Sequence, residues 1–193
     1  MSNITKLVNP KSKNYYKLKE FVMSNKIGWV YNEYSVSDGG DFKGQKFYSH
    51  TVIERPFSWT RIEGDEFNFT DEETSQYDLV PNILSPIYRT HILPFLYELM
   101  GSNSSTGKCE IRSILRINFN SVHSDFGKGK SHTDHPFPHK NMLVYFTNTG
   151  GDTIVGDEHY TPEEDDIIVF DSQLHNSEPP KSGRRVVMVM TFI

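Results

Sequence analysis

The chain is 193 residues long, enough for one domain with a buried core, and its 36% hydrophobic content marks it as globular rather than disordered. A net charge of −5 argues against a nucleic-acid partner, which favours a basic stripe, while the lone Cys109 rules out an intramolecular disulfide and any thiolate-rich metal site. No apolar run approaches the about 20 residues of a membrane span and residues 1–16 lack a signal-peptide core, so the expectation is a soluble, cytoplasmic protein in a reducing compartment.

Residues 13–26, KNYYKLKEFVMSNK, space their apolar side chains as a short helix does. GWVYNEYSV (28–36) and KFYSHTVIE (46–54) are rich in β-branched and aromatic residues and predict strands, joined by a turn-like SDGGDFKGQ. Residues 63–79 are acidic and irregular and predict a solvated loop. SPIYRTHILPFLYELMG (85–101) predicts the strongest helix, with Ser85 as cap, Pro86 in the first turn, Gly101 at the end and Pro94 as a kink. GSNSSTGKC (101–109) misses the phosphate-loop spacing and reads as a polar linker. Three Asn-x-Ser/Thr tripeptides, at Asn3, Asn68 and Asn103, are expected to be chance matches.

From Glu110 onward the texture is that of β-structure. EIRSILRINFN (110–120), NMLVYFTN (141–148), DIIVFDS (166–172) and RRVVMVMTFI (184–193) predict strands, and TGGDT (149–153) a hairpin turn. EEDD (163–166) predicts an acidic turn. Short strands parted by Gly, Pro and Asp turns suggest a sandwich or barrel. The expected organisation is a single domain over 1–193: a mainly β fold with N-terminal helices. Residues 1–110 form a helical and β extension, and residues 111–193 carry the chemistry-bearing motifs.

SHTDHPFPHK (131–140) gathers three histidines and an aspartate. On a strand, residues i and i+2 share a face, so His132 and Asp134 present an imidazole beside a carboxylate. Two histidines and one carboxylate are the ligand set of non-haem Fe(II) oxygenases. H-x-D alone is a weak signal that fits a polar loop better than a metal site, and the chain has a second copy, His123-Ser-Asp125. Downstream, His175 follows an apolar strand, and Arg185 opens the terminal one. An arginine buried there calls for an anion, which it can grip with two parallel hydrogen bonds.

HTD, then NMLVYFTNTGGDT, then DDIIVFDSQLHNSEPPKSGRRVVMVMTF resembles the 2-oxoglutarate- and Fe(II)-dependent oxygenases. The nearest branch is the prolyl 4-hydroxylase-like one, which includes members carried by bacteriophages. The resemblance spans residues 111–193, and it implies a double-stranded β-helix (jelly-roll) core. It places His132, Asp134 and His175 on the iron ligands and Arg185 on the 2-oxoglutarate anchor. It favours His132–Asp134 over His123–Asp125, because the family's pair stands shortly before the strand that begins near Asn141. The implied activity is hydroxylation of a peptidyl (prolyl-like), amino-acid or other small-molecule substrate. The cosubstrates would be 2-oxoglutarate and O2, with succinate and CO2 released.

The chain departs from the family at two tyrosines. Asn118 stands near one family tyrosine. Tyr145 and Phe146 are neighbours at the other, so only one of them can face inward. Asn118 and Tyr145 are the candidate extra cosubstrate ligands. Arg184 takes the anchoring role if it, rather than Arg185, faces in. His135 and His139 have no family role and are expected in a solvated loop. Residues 28–80 and 121–130, the latter with Lys128 and Lys130, are candidates for a lid over the substrate, or else a mobile loop. Two other classes stay open: a cupin-like metal protein that does not use 2-oxoglutarate, and a non-catalytic jelly-roll accessory protein.

Overall fold

The computed structural model describes residues 3–33, 45–54, 61–62, 82–107 and 109–193. The expected turn at 37–45, all but its last residue, the acidic loop at 63–79 with Asn68, and most of the candidate lid over 28–80 lie outside the described residues. Two antiparallel sheets face each other. The larger runs β1 (Ile4–Leu7), β11 (Ile167–Asp171), β8 (Lys140–Tyr145), β13 (Arg184–Phe192), β6 (Ile114–His123), β3 (Phe47–Glu54) and β2 (Val30–Asn32), with β5 (Asn82–Ile83) also on β3. The smaller runs β10 (Glu158–Tyr160), β9 (Thr153–Val155), β12 (His175–Ser177), β7 (His132–Thr133) and β4 (Arg61–Ile62). The fold is mostly β, with two α-helices among the described residues, α1 (Lys13–Met23) and α2 (Leu93–Asn103). No helix among the described residues is long and apolar enough to cross a membrane.

Strict alternation in the central strands divides the molecule into layers. Ile117 and Phe119 of β6, Met142 and Val144 of β8, and Val186, Met188 and Met190 of β13 pack with α1 and α2 in one core. The intervening side chains, including Leu143, Tyr145 and Val187, face the smaller sheet and form a second core with Val155, Ile168 and Phe170. The site lies in this second layer. The first half of the chain is woven into the scaffold: β1 forms one edge of the larger sheet, and β3 pairs directly with β6.

The helix predicted over 85–101 is assembled differently. Ser85 turns its hydroxyl to His50 and does not cap the helix. Residues Tyr88–Ile92 form a π-helical turn, and the α-helix begins at Leu93. Pro94 explains the break, because it lacks an N–H and cannot bond the carbonyl four residues back. That carbonyl, Thr90 O, instead accepts from Lys17 Nζ of α1 at 3.2 Å. The helix runs past Gly101 and ends through a 3-10 turn at Gly107, which has a left-handed φ of 62°. The expected linker is therefore partly helical, and its Asn103 is buried, with its side chain bonded to the backbone of Val8 and Leu99.

The EEDD turn anchors α1 as well as reversing the chain. Asp165 accepts from the fully buried Tyr15 hydroxyl and from Lys19, both at 2.5 Å. Burial would raise the Asp165 carboxyl, but the Lys19 and Tyr15 bonds outweigh it and hold the group below its ordinary value. TGGDT is not a hairpin. It carries the chain from β8 in the larger sheet to β9 in the smaller, and the true hairpin is β9–β10 around Gly156. Two consecutive glycines with positive φ allow the sharp crossing.

Candidate metal centre

β7 and β12 are neighbours in the smaller sheet, and His132 sits directly opposite His175 in their register. Their ring centroids are 4.6 Å apart. Asp134, two residues past His132, points the same way, and one side-chain atom from each of His132, Asp134 and His175 lies within 4.8 Å of the others. His123 is elsewhere. It ends β6 opposite Arg184 and packs against Tyr48 and Phe126. The geometry thus gathers the HTD pair with His175 and leaves the HSD pair outside.

The second ring nitrogens have defined partners. His132 Nδ1 donates to the Lys130 carbonyl at 2.9 Å, and His175 Nδ1 donates to the Gln173 carbonyl at 3.0 Å. A carbonyl can only accept, so each Nδ1 carries a hydrogen and each Nε2 is the nitrogen that would serve as a ligand. Each imidazole is therefore oriented by the backbone two residues before it, a partner invisible in the sequence. Asp134 is almost fully buried. Burial would raise its carboxyl, but His175, which when protonated also donates to it through Nε2, then the charges of Arg116 and of protonated His132, hold it well below the usual carboxylate range. Such a buried, ionised carboxylate flanked by imidazoles is suited to a divalent cation.

The cluster opens into a cavity of about 120 Å³ between the sheets. Arg185 lines it and is only 3% exposed. Its Nη1 donates to Gly151 O at 3.2 Å and its Nη2 to Glu178 O at 2.9 Å. Burial lowers its guanidinium from the ordinary value, opposed by the charges of Tyr145 and Glu178, and no carboxylate among the described residues lies within ion-pair distance of it. Arg184 faces the other way, over Trp29 at 5.9 Å. Tyr145 also lines the cavity, whereas Phe146 joins the helix-side core. The Tyr145 hydroxyl is hydrogen-bonded to Thr153 at 2.6 Å, and burial pushes it up to about 12.

Asn118 does not reach the cavity. It accepts from Thr51 and donates to Asn120 Oδ1 at 2.6 Å, and it is Asn120 that lines the wall. His135 and His139 are not solvated; they are 2% and 5% exposed, and His135 Nε2 bonds Thr191 at 2.8 Å. Segment 124–130 is tied down. Gly129 N donates to Ser177 O, and Gln45 bridges Gly127 O and the Ser177 hydroxyl.

Gly151 holds this wall together. A Cβ there would lie 2.3 Å from Pro179 O and 3.1 Å from Glu178 O, at a φ of +82°. Gly151→Ala is expected to cost at least about 2 kcal/mol in a denaturant titration, since it adds left-handed strain to an unavoidable overlap. A wild-type midpoint would show that the 178–179 backbone yields freely.

No family model matches the chain, and no curated protein matches it in sequence. Solved structures do. An oxidoreductase of the 2OG-Fe(II) oxygenase family from Burkholderia pseudomallei superposes with a TM-score of 0.67 at 13% identity, covering 98% of this chain and 84% of its own. The fold is that of the 2OG-Fe(II) oxygenases. A Pseudomonas putida prolyl-4-hydroxylase shares it, with a TM-score of 0.51 at 8% identity over 100% of this chain and 93% of that one. So does a Trichoplax adhaerens prolyl hydroxylase, solved with a hypoxia inducible factor peptide fragment, with a TM-score of 0.55 at 11% identity over 100% and 84% of the two chains. In this oxygenase fold the His132–Asp134–His175 cluster sits between the two sheets of a double-stranded β-helix, and Arg185 lines the same cavity.

Proposed function

We propose that the protein is an Fe(II)- and 2-oxoglutarate-dependent oxygenase that hydroxylates a peptidyl, prolyl-like residue or a small molecule such as an amino acid. The observation that carries this reading is Arg185, a deeply buried guanidinium without a carboxylate partner among the described residues, in the cavity that also holds a two-histidine, one-carboxylate cluster. Burying an unpaired cation is costly unless an anion completes it. A cupin-like metal site without 2-oxoglutarate would leave the charge of that arginine balanced only by the carbonyls of Gly151 and Glu178.

The residues fit the implied groups. His132 Nε2, His175 Nε2 and Asp134 Oδ2 would hold iron, and Arg185, assisted by Tyr145, would take the far carboxylate of 2-oxoglutarate. With O2, these groups supply the oxidation that couples decarboxylation to succinate and CO2 with hydroxylation of a C–H bond. The chain's own residues bind, orient and shield. Gln173 and Lys130 carbonyls fix the imidazole tautomers, and the apolar wall of Leu143, Val187 and Val189 keeps bulk water from the site.

At about 120 Å³ the cavity is smaller than the roughly 300 Å³ where sites for drug-sized ligands begin. It suits a small dicarboxylate, with the primary substrate approaching from outside the cavity. A residue on a peptide, or a small molecule, satisfies that geometry. The test is an anaerobic titration of the apoprotein with Fe(II) and then 2-oxoglutarate. The expected result is the visible charge-transfer absorption of a chelated keto acid. Iron uptake without that absorption would favour a metal site that does not use 2-oxoglutarate, and no uptake would leave only the fold.

A further inference from the structure

Asp134 is the single carboxylate of the cluster, and its two oxygens are in different surroundings. Oδ2 lies 3.4 Å from His175 Nε2, on the side of the imidazoles. Oδ1 accepts from Arg116 Nη1 at 3.0 Å, and both side chains are largely buried. Arg116 comes from the middle of the larger sheet and lines the cavity beside the cluster.

The position of that guanidinium is set by sheet register. Arg116 is directly opposite Thr191 on β13, and Thr191 is opposite Asn141 on β8. Thr191, fully buried, also binds His135. Asp134 and His135 therefore land on adjacent members of one transverse row, and the carboxylate cannot rotate without breaking its bond to a side chain rooted in the central sheet.

Stability alone does not account for this pair. A buried ion pair is commonly matched or surpassed by apolar residues of similar volume. A counter-charge is not needed either once a divalent ion faces Oδ2. An arginine contributes direction, because its planar fork holds an oxygen in a fixed plane.

We propose that Arg116 is a positioning residue that keeps Asp134 a one-oxygen ligand. This role presupposes the iron and 2-oxoglutarate reading above. Carboxylates bind divalent ions through one oxygen or through both. Holding Oδ1 reserves for the keto acid a position that a turned carboxylate would occupy.

The test compares wild type with Arg116→Met, each loaded anaerobically with Co(II) alone and then titrated with 2-oxoglutarate. The variant is expected to bind Co(II) but with weaker, shifted visible d–d absorption, the mark of a higher coordination number. Its 2-oxoglutarate affinity should fall about 10- to 100-fold, the range found when outer partners of metal ligands are removed. A lower melting temperature with unchanged absorption and unchanged 2-oxoglutarate affinity would reduce Arg116 to a structural role and overturn the proposal. If the methionine variant does not fold, Arg116→Lys tests the same point: a smaller shift in both readings supports the role, and no shift overturns it. A wild-type protein that takes up no Co(II) overturns the oxygenase reading together with this one. Wild-type uptake beside an unaltered variant overturns this one only.

Discussion

Arg185→Met should weaken 2-oxoglutarate binding to the metal-loaded protein by about 2–5 kcal/mol, roughly 30-fold to several thousand-fold, because it removes one side of a buried, hydrogen-bonded charge pair. Metal affinity should stay close to wild type, since Arg185 is not among the clustered ligand residues. Stability of the apoprotein should change less than binding does. The substitution strips donors from Gly151 O and Glu178 O, a loss of about 1–3 kcal/mol for each buried acceptor left unsatisfied. It also removes a desolvated cation, which offsets that loss. Arg185→Lys keeps the charge but loses the fork and should fall between the two. Calorimetric titration with 2-oxoglutarate under anaerobic conditions reads the effect directly. An unchanged affinity in Arg185→Met would remove the main support for 2-oxoglutarate as the cosubstrate.

Asp134→Asn should have the largest effect on metal binding. It keeps the shape of the side chain and deletes the only negative charge of the cluster. Breaking a buried charge pair costs about 3–5 kcal/mol, which corresponds to a loss of Fe(II) affinity from roughly a hundred-fold to several thousand-fold, and the 2-oxoglutarate-dependent absorption should vanish with it. The apoprotein should also lose stability near neutral pH, because Arg116 and His175 keep their places without the carboxylate. The pH dependence has a definite sign. The folded-state carboxyl of Asp134 is held below its ordinary value, so its contribution is fully present above the unfolded value of about 3.9. It is lost only as pH falls below that value, through the folded one. Wild type and Asp134→Asn should therefore differ most above about pH 4 and converge in stronger acid. A difference that grew on acidification would contradict the ionised Asp134. His123→Ala, outside the cluster, should leave metal affinity unchanged; if it abolished binding, the wrong H-x-D pair has been placed at the metal.

Much of the fold was legible because strand alternation is a local property with a period of two residues. LRINFN, MLVYF and RRVVMVM each show it, and each became a central strand of the larger sheet. The elements that were misread depend on partners far along the chain. The helix over 85–101 lost its start to a π-helical turn because Pro94 leaves Thr90 O for Lys17, a residue of another helix. The glycine pair at 150–151 signals a sharp turn, but whether a turn closes a hairpin or crosses to a second sheet depends on where the next strand pairs. Nothing local marks Arg116, because an arginine alternating with apolar residues is equally the mark of a solvated strand face. Its partner, Asp134, is reached only across the gap between the sheets. His135 and His139 looked like loop residues and are buried for the same reason: the chain after β7 folds down onto the larger sheet.

The sequence by itself determined the chemical inventory: an H-x-D pair, a later histidine, an arginine at the head of an apolar strand, and the alternation that makes two-faced strands. Residue type and local period carry that information. Only the tertiary structure decided which H-x-D pair meets His175, that Tyr145 rather than Phe146 faces the cavity, that Asn120 rather than Asn118 lines it, and that Asp134 turns one oxygen to Arg116 and the other to His175. Those choices follow from register between strands and from the crossing between sheets, which bring together residues distant in the chain, and no local pattern encodes them.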